Sequence, residues 1–153
     1  MERLGTTLGL GFITATRVDR GRGRKALSAQ VRLPETGETR DDLPVLGIYG
    51  FFSRPREGAD AAVIFLGGNR GSGVVVATGD GRYGPDLAAG EFGMQHPSGA
   101  AFIMRNDGSI EGHAPGGWKL TGGPLTHNGK NVGGDHRHTG VQSGTQNSGE
   151  PLP

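Results

Sequence analysis

The chain has 153 residues, of which 31 are glycine and 9 are proline, while only 33 % fall in the AVILMFWYC set. That composition borders on low-complexity disorder and argues against one large conventional core. Sixteen Lys and Arg against 15 Asp and Glu leave a formal charge of +1, which excludes recruitment to nucleic acid or membrane by bulk charge, and the absence of cysteine excludes disulfides and thiolate chemistry. The length fits a small domain followed by a second element that must borrow partners to bury its surface. The opening residues, MERLGTTLGLGFITATRVDR, hold neither a basic segment ahead of an apolar core nor a membrane-length apolar run, so folding in the cytoplasm without export is expected.

Five strands are expected first: Leu10 to Val18, Leu27 to Leu33, Val45 to Phe52, Ala61 to Leu66 and Val74 to Thr78. Turn residues separate them, at Gly21 to Gly23, Pro34 to Gly37, Pro55 to Gly58 and Gly67 to Asn69. No stretch keeps helical apolar spacing for more than about two turns. Five strands in so short a span favour a small all-β barrel of the OB type. After a seam at Gly79 to Pro85 come runs of about five residues, EFGMQ, AAFIM, SIEGH and WKLTG, each bounded by Gly, Pro or Asn-Asp-Gly. Their even spacing suggests a hairpin-like or solenoidal stack too thin to stand alone. From Thr126 onward the large aliphatics are only Val132, Val141 and Leu152, so this stretch is expected to lack order unless something external holds it.

Several signposts share one pattern: Tyr49-Gly-Phe51, Pro55 with Gly58-Ala-Asp60, Gly67-Gly68, Asp80-Gly-Arg-Tyr83, Gly90-Glu91 and Asp107-Gly-Ser-Ile110. The segment LTHNGKNVGGDHRHTGV, from Leu125 to Val141, adds an Asn-Gly-x-Asn stretch leading into His-x-His. Together they resemble the central spike proteins of Mu-like contractile phage tails, of the baseplate assembly protein V type. The resemblance implies an all-β homotrimer with an OB-fold-like domain at residues 1–80, a linker at 81–90, a triple-stranded β-helix shaft at 91–125, and an apex and tail at 126–153. It further implies an iron ion, one per trimer, held by His136 and His138 of three chains. The implied setting is the tip of the virion tail baseplate, with other baseplate and hub subunits bound through the N-terminal domain and the target cell's outer membrane pierced on contraction.

Residues i and i+2 of an extended strand point the same way, about 6.6 Å apart along the chain, so His136 and His138 are able to face one axis. Neutral imidazole suits Fe, Zn, Ni and Cu alike, and the alternative is a solvated loop with two ordinary histidines. Gly133, Gly134 and Gly140 would let three backbones converge there. His96 and His113, near prolines, read as exposed strand ends without chemistry; His127 reads as a hydrogen-bonding neighbour of the apex or a further ligand.

The basic run Arg17, Arg20, Arg22, Arg24 and Lys25 allows a single-strand nucleic-acid reading on a barrel, but the acidic residues that follow favour a solvated loop or a contact to a neighbouring subunit. Gly67 to Gly73 lacks the Lys-Ser/Thr of a phosphate loop and reads as a turn. Trp118 reads as filler of a narrow trimeric shaft rather than a sugar platform. The favoured function is mechanical and non-enzymatic; the alternatives are a metal-dependent hydrolase using Asp135, His136 and His138, and an OB-type nucleic-acid binder.

Overall fold

A computed structural model describes residues 7–20 and 26–134. Strands β1 (Thr7–Asp19), β2 (Ala26–Leu33), β3 (Glu38–Pro44), β4 (Asp60–Phe65) and β5 (Gly73–Gly79) form an antiparallel sheet in the order β3-β2-β1-β4-β5. Its two outer strands meet. Val45, just past β3, bridges Val75 in parallel, and the Leu46 N–H donates to the Val75 carbonyl at 2.9 Å.

Period-two alternation explains which residues fill the interior. Ala29, Val31 and Leu33 point inward from β2, and Ala61, Val63 and Phe65 from β4, joined by Ile13, Leu43, Ala59 and Val75. Among the described residues none of the buried side chains is polar or charged. Apolar burial without any desolvated charge therefore holds the domain together. Glycine is needed where β1 crosses β2: a Cβ on Gly11 would lie 2.2 Å from the Arg32 carbonyl oxygen.

Four of the five expected strands appear near their expected places. The third does not. Val45 to Phe52 leaves the sheet after its first two residues, and its place is taken by the polar segment Glu38–Pro44. That strand buries only Leu43; its irregular register places Asp41 and Asp42 between the Arg40 and Leu43 pairings, and Asp42 adopts φ 53°. An edge strand exposes most of its side chains, so charge is tolerated there and apolar content is a poor guide. Gly67 to Gly73 is a turn as expected, with a 3-10 turn at Leu66–Gly68.

Strands β6 (Phe92–Gln95), β7 (Ala101–Met104) and β8 (Ile110–His113) make an antiparallel meander. Its two turns have the same bonding. His96 N–H donates to the Ala100 carbonyl and Gly99 N–H to the His96 carbonyl; Arg105 N–H donates to Ser109 and Gly108 N–H to Arg105. Positive φ recurs at every ninth residue, at Gly90, Gly99, Gly108 and Gly117. The expected strand at Trp118 to Gly122 is not a strand, and Trp118 is half-exposed.

A clamp holds the end of the meander. Arg105 donates to Glu91 and to Glu111, each at 2.9 Å, and Glu91 also accepts from the Ala88 N–H at 3.0 Å. That backbone donor, followed by the Arg105 guanidinium, holds the Glu91 carboxyl below the usual carboxylate range. A depressed pKa contributes stability that is present above the unfolded value of about 4.3 and disappears as pH falls through the lower folded value. The meander should therefore loosen in acid, seen as loss of dispersed β6 and β7 amide resonances, and Glu91→Gln should flatten that dependence. An unchanged acid limb in the variant would place the cause elsewhere.

The chain divides into compact units at Met1–Pro115 and Gly116–Pro153. In the second, β9 (Thr126–His127) and β10 (Lys130–Asn131) pair antiparallel around Asn128 and Gly129, both with positive φ. The Asn-Gly turn supplies order that apolar content alone did not forecast for residues 126–134.

Candidate functional site

The His-x-His motif is approached through this hairpin. Beyond β10 the Val132 N–H donates to the Leu125 carbonyl at 2.7 Å, and the Asn131 side-chain oxygen accepts from the Gly133 N–H at 2.8 Å. The Asn-Gly-x-Asn stretch is thus a structured base for the residues that follow it. His136 and His138 lie outside the described residues, as do Asp135, Arg22, Arg24 and Lys25. Among the described residues no group of three or more His, Asp or Glu is placed to hold a metal. His127 is exposed on β9, while His96 shapes its turn, with Nδ1 2.8 Å from the Ser98 hydroxyl and accepting from the Ser98 N–H.

Apolar surface is the main feature of the first unit. Direct cross-strand pairing puts Phe92, Met104 and Ile110 on one face of the meander, together with Met94 and Phe102. Each of these side chains is about half-exposed. On the other face Gly93 lies under Pro85 and Leu87 of the preceding segment, close enough that a Cβ there would stand 2.9 Å from Pro85. One face is covered by the chain itself; the other presents large hydrophobic groups to solvent. Such contiguous apolar surface marks an interaction site.

One rim of the five-stranded sheet is locked by Arg82. It forms an ion pair with Asp80 at 2.7 Å, donates to the Glu57 carbonyl at 2.9 Å, and lies over the Tyr83 ring, with Arg56 also over that ring. Gly58 beside it has φ 82°, a conformation that favours glycine, and a Cβ there would also come within 3.0 Å of the guanidinium. These contacts explain two of the sequence signposts, Pro55 with Gly58-Ala-Asp60 and Asp80-Gly-Arg-Tyr83, as structural. Between this rim and His96 lies an open cleft of about 600 Å³, bordered by Phe52, Arg54, Tyr83 and Pro97. Arg17 is ion-paired with Asp42, which removes one charge from the basic run, while Arg20 is exposed.

The described residues are all-β, with an apolar core against the five-stranded sheet and a three-stranded sheet left bare on one face. Residues 16–82 match the family Bacteriophage Mu Gp45, N-terminal. Over 87 residues the chain is 37 % identical to the baseplate puncturing device gp45 of Escherichia phage Mu, a match covering 56 % of this chain and 44 % of that protein. The chain is thus similar to the Mu-like baseplate spike proteins, and the match spans less than half of its relative's length.

Proposed function

We propose that this protein is the central spike of a contractile tail baseplate, acting as a homotrimer that pierces the target cell's outer membrane when the sheath contracts. The observation that carries this reading is the match to the baseplate puncturing device. Its location is the virion tail baseplate. The strand order, with the two sheet edges joined at Val45 and Val75, supports an OB-fold-like domain over residues 1–80 that attaches to other baseplate and hub subunits. The bare face of Phe92, Met94, Met104 and Ile110 supports burial against equivalent chains, since three strands of four residues are too few for an independent sheet. In this reading residues 91–125 form the triple-stranded β-helix shaft after a linker at 81–90, and residues 126–153 the apex, where His136 and His138 of three chains hold one iron ion. The task is transmission of force, with no catalysis and no specific nucleic acid.

Light scattering and metal analysis on one sample test this. The expected result is a mass of three chains with one ion per three chains. A folded monomer at micromolar concentration would overturn the trimer, and one ion per chain would favour a metal-dependent hydrolase.

A further inference from the structure

The segment that fails to become the third strand, Val45 to Phe52, is an ordered projection. Gly50 has φ 85°, and the Phe51 N–H closes a turn onto the Ile48 carbonyl at 3.0 Å. This turn holds Tyr49 and Phe52 almost wholly in water, at 101 % and 95 % exposure, with Leu46, Ile48 and Phe51 also exposed. No charged residue occurs from Val45 to Ser53. A tight turn that fixes this much aromatic surface in solvent gains nothing in an isolated chain.

The same domain carries a concave counterpart. On the outer face of β1, β4 and β5 a groove of about 360 Å³ is lined by Leu10, Gly11, Asp60, Ala62, Ala77 and Gly79. Leu10 pairs directly with Ala62, and Ala62 with Ala77, so small side chains line its floor beside one large aliphatic. Leu8 and Val76, further along the same strands, are exposed as well.

The geometry points to a peg-and-socket contact between copies of this chain, in which the Ile48–Phe52 turn of one copy seats in the Leu10/Ala62/Ala77 groove of the next. The inference rests on the homotrimer reading and deepens it. A ring with threefold symmetry requires two different patches on each chain, each meeting the other on its neighbour. A protruding apolar turn and a recessed apolar groove on one domain meet that requirement; a self-complementary patch would not. The sizes agree. Three aromatic side chains bury about 150 to 250 Å² each, so with Leu46 and Ile48 the turn offers roughly 600 Å². That approaches the ~800 Å² per partner of a standard interface and reaches the upper end of what a monomer ordinarily leaves bare.

The absence of native cysteine makes the contact directly testable in the full-length chain. Tyr49→Cys and Ala62→Cys are made as separate, differently tagged variants, co-expressed, and oxidised after purification, with Tyr49→Cys and Ala77→Cys as a second pair. Both substitutions are at exposed or small-residue positions, and circular dichroism checks that folding is intact. Disulfides joining one tag to the other, and a ladder reaching three chains when both cysteines sit on one chain, are expected. A three-chain mass by sedimentation without these links, or Tyr49→Cys linking only to itself, would overturn the peg and socket and leave the trimer standing; the turn would then serve a different baseplate subunit or the threefold axis. A monomeric mass without links would overturn both.

Discussion

Replacing His136 and His138 together with alanine should abolish metal binding and loosen the tip, while leaving the N-terminal domain as stable as before. In the proposed trimer the flanking glycines and the scarcity of large apolar residues after Thr126 would leave three convergent segments with almost no core of their own. A shared ion would substitute for that core, and its binding free energy would become stability of the folded apex. Imidazole must be neutral to ligate, so the wild-type protein should release metal as pH drops below about 6. Six imidazoles would saturate the ion and leave no position for water, so no metal-dependent hydrolysis should accompany it. Metal content per trimer and proteolytic resistance of the C-terminal segment read the outcome; a double variant that keeps its metal would exclude these ligands.

The second large effect belongs to Phe65. Its side chain is fully buried on β4, where a Cβ on Gly9 or Gly73 would stand 3.0 or 2.9 Å from its ring, with the Arg70 guanidinium over that ring at 4.9 Å. Phe65→Ala should cost about 3 to 5 kcal/mol, against a total of about 5 to 15 kcal/mol for a typical domain. For a domain of this size each kcal/mol moves Tm by about 4 to 8 °C, so a drop of roughly 12 °C or more is expected. Thermal denaturation followed by circular dichroism measures it. A shift of only a few degrees would mean that neighbouring side chains collapse into the cavity, which the two glycines against the ring make difficult.

The five-stranded sheet was legible wherever burial follows period two, as in Ala29, Val31 and Leu33 or Ala61, Val63 and Phe65. It was not legible in β3, because ETRDDLP is held by its neighbour β2 and by the Arg17 and Asp42 ion pair, and local apolar content contains neither fact. The eight residues after it were misread for the complementary reason. Val45 to Phe52 has strand composition, yet an exposed interaction segment needs the same residue types as a buried strand. The turn at Asn106 to Gly108 was readable because its backbone demands are local, whereas the turn at Asn128 and Gly129 went unread in a stretch poor in apolar residues. The Arg82 and Tyr83 lock was visible only as a recurring motif, since its chemistry depends on Gly58 and Glu57 from a distant loop. The metal-site expectation rests on spacing and resemblance, with both histidines beyond the described residues.

The recurrence of turn glycines at Gly90, Gly99, Gly108 and Gly117 makes segment length a discrete variable. Phe92 on β6 and Ile110 on β8 occupy equivalent offsets from their glycines and share a face, whereas Phe102 and Met104 on β7 reach that face from the opposite parity. A duplication or deletion of a whole two-strand, two-turn unit would keep every later side chain on its own side. Loss of a single residue would invert all that follow. Gradual drift in length is therefore closed to this region, and its reach has to grow or shrink in whole modules.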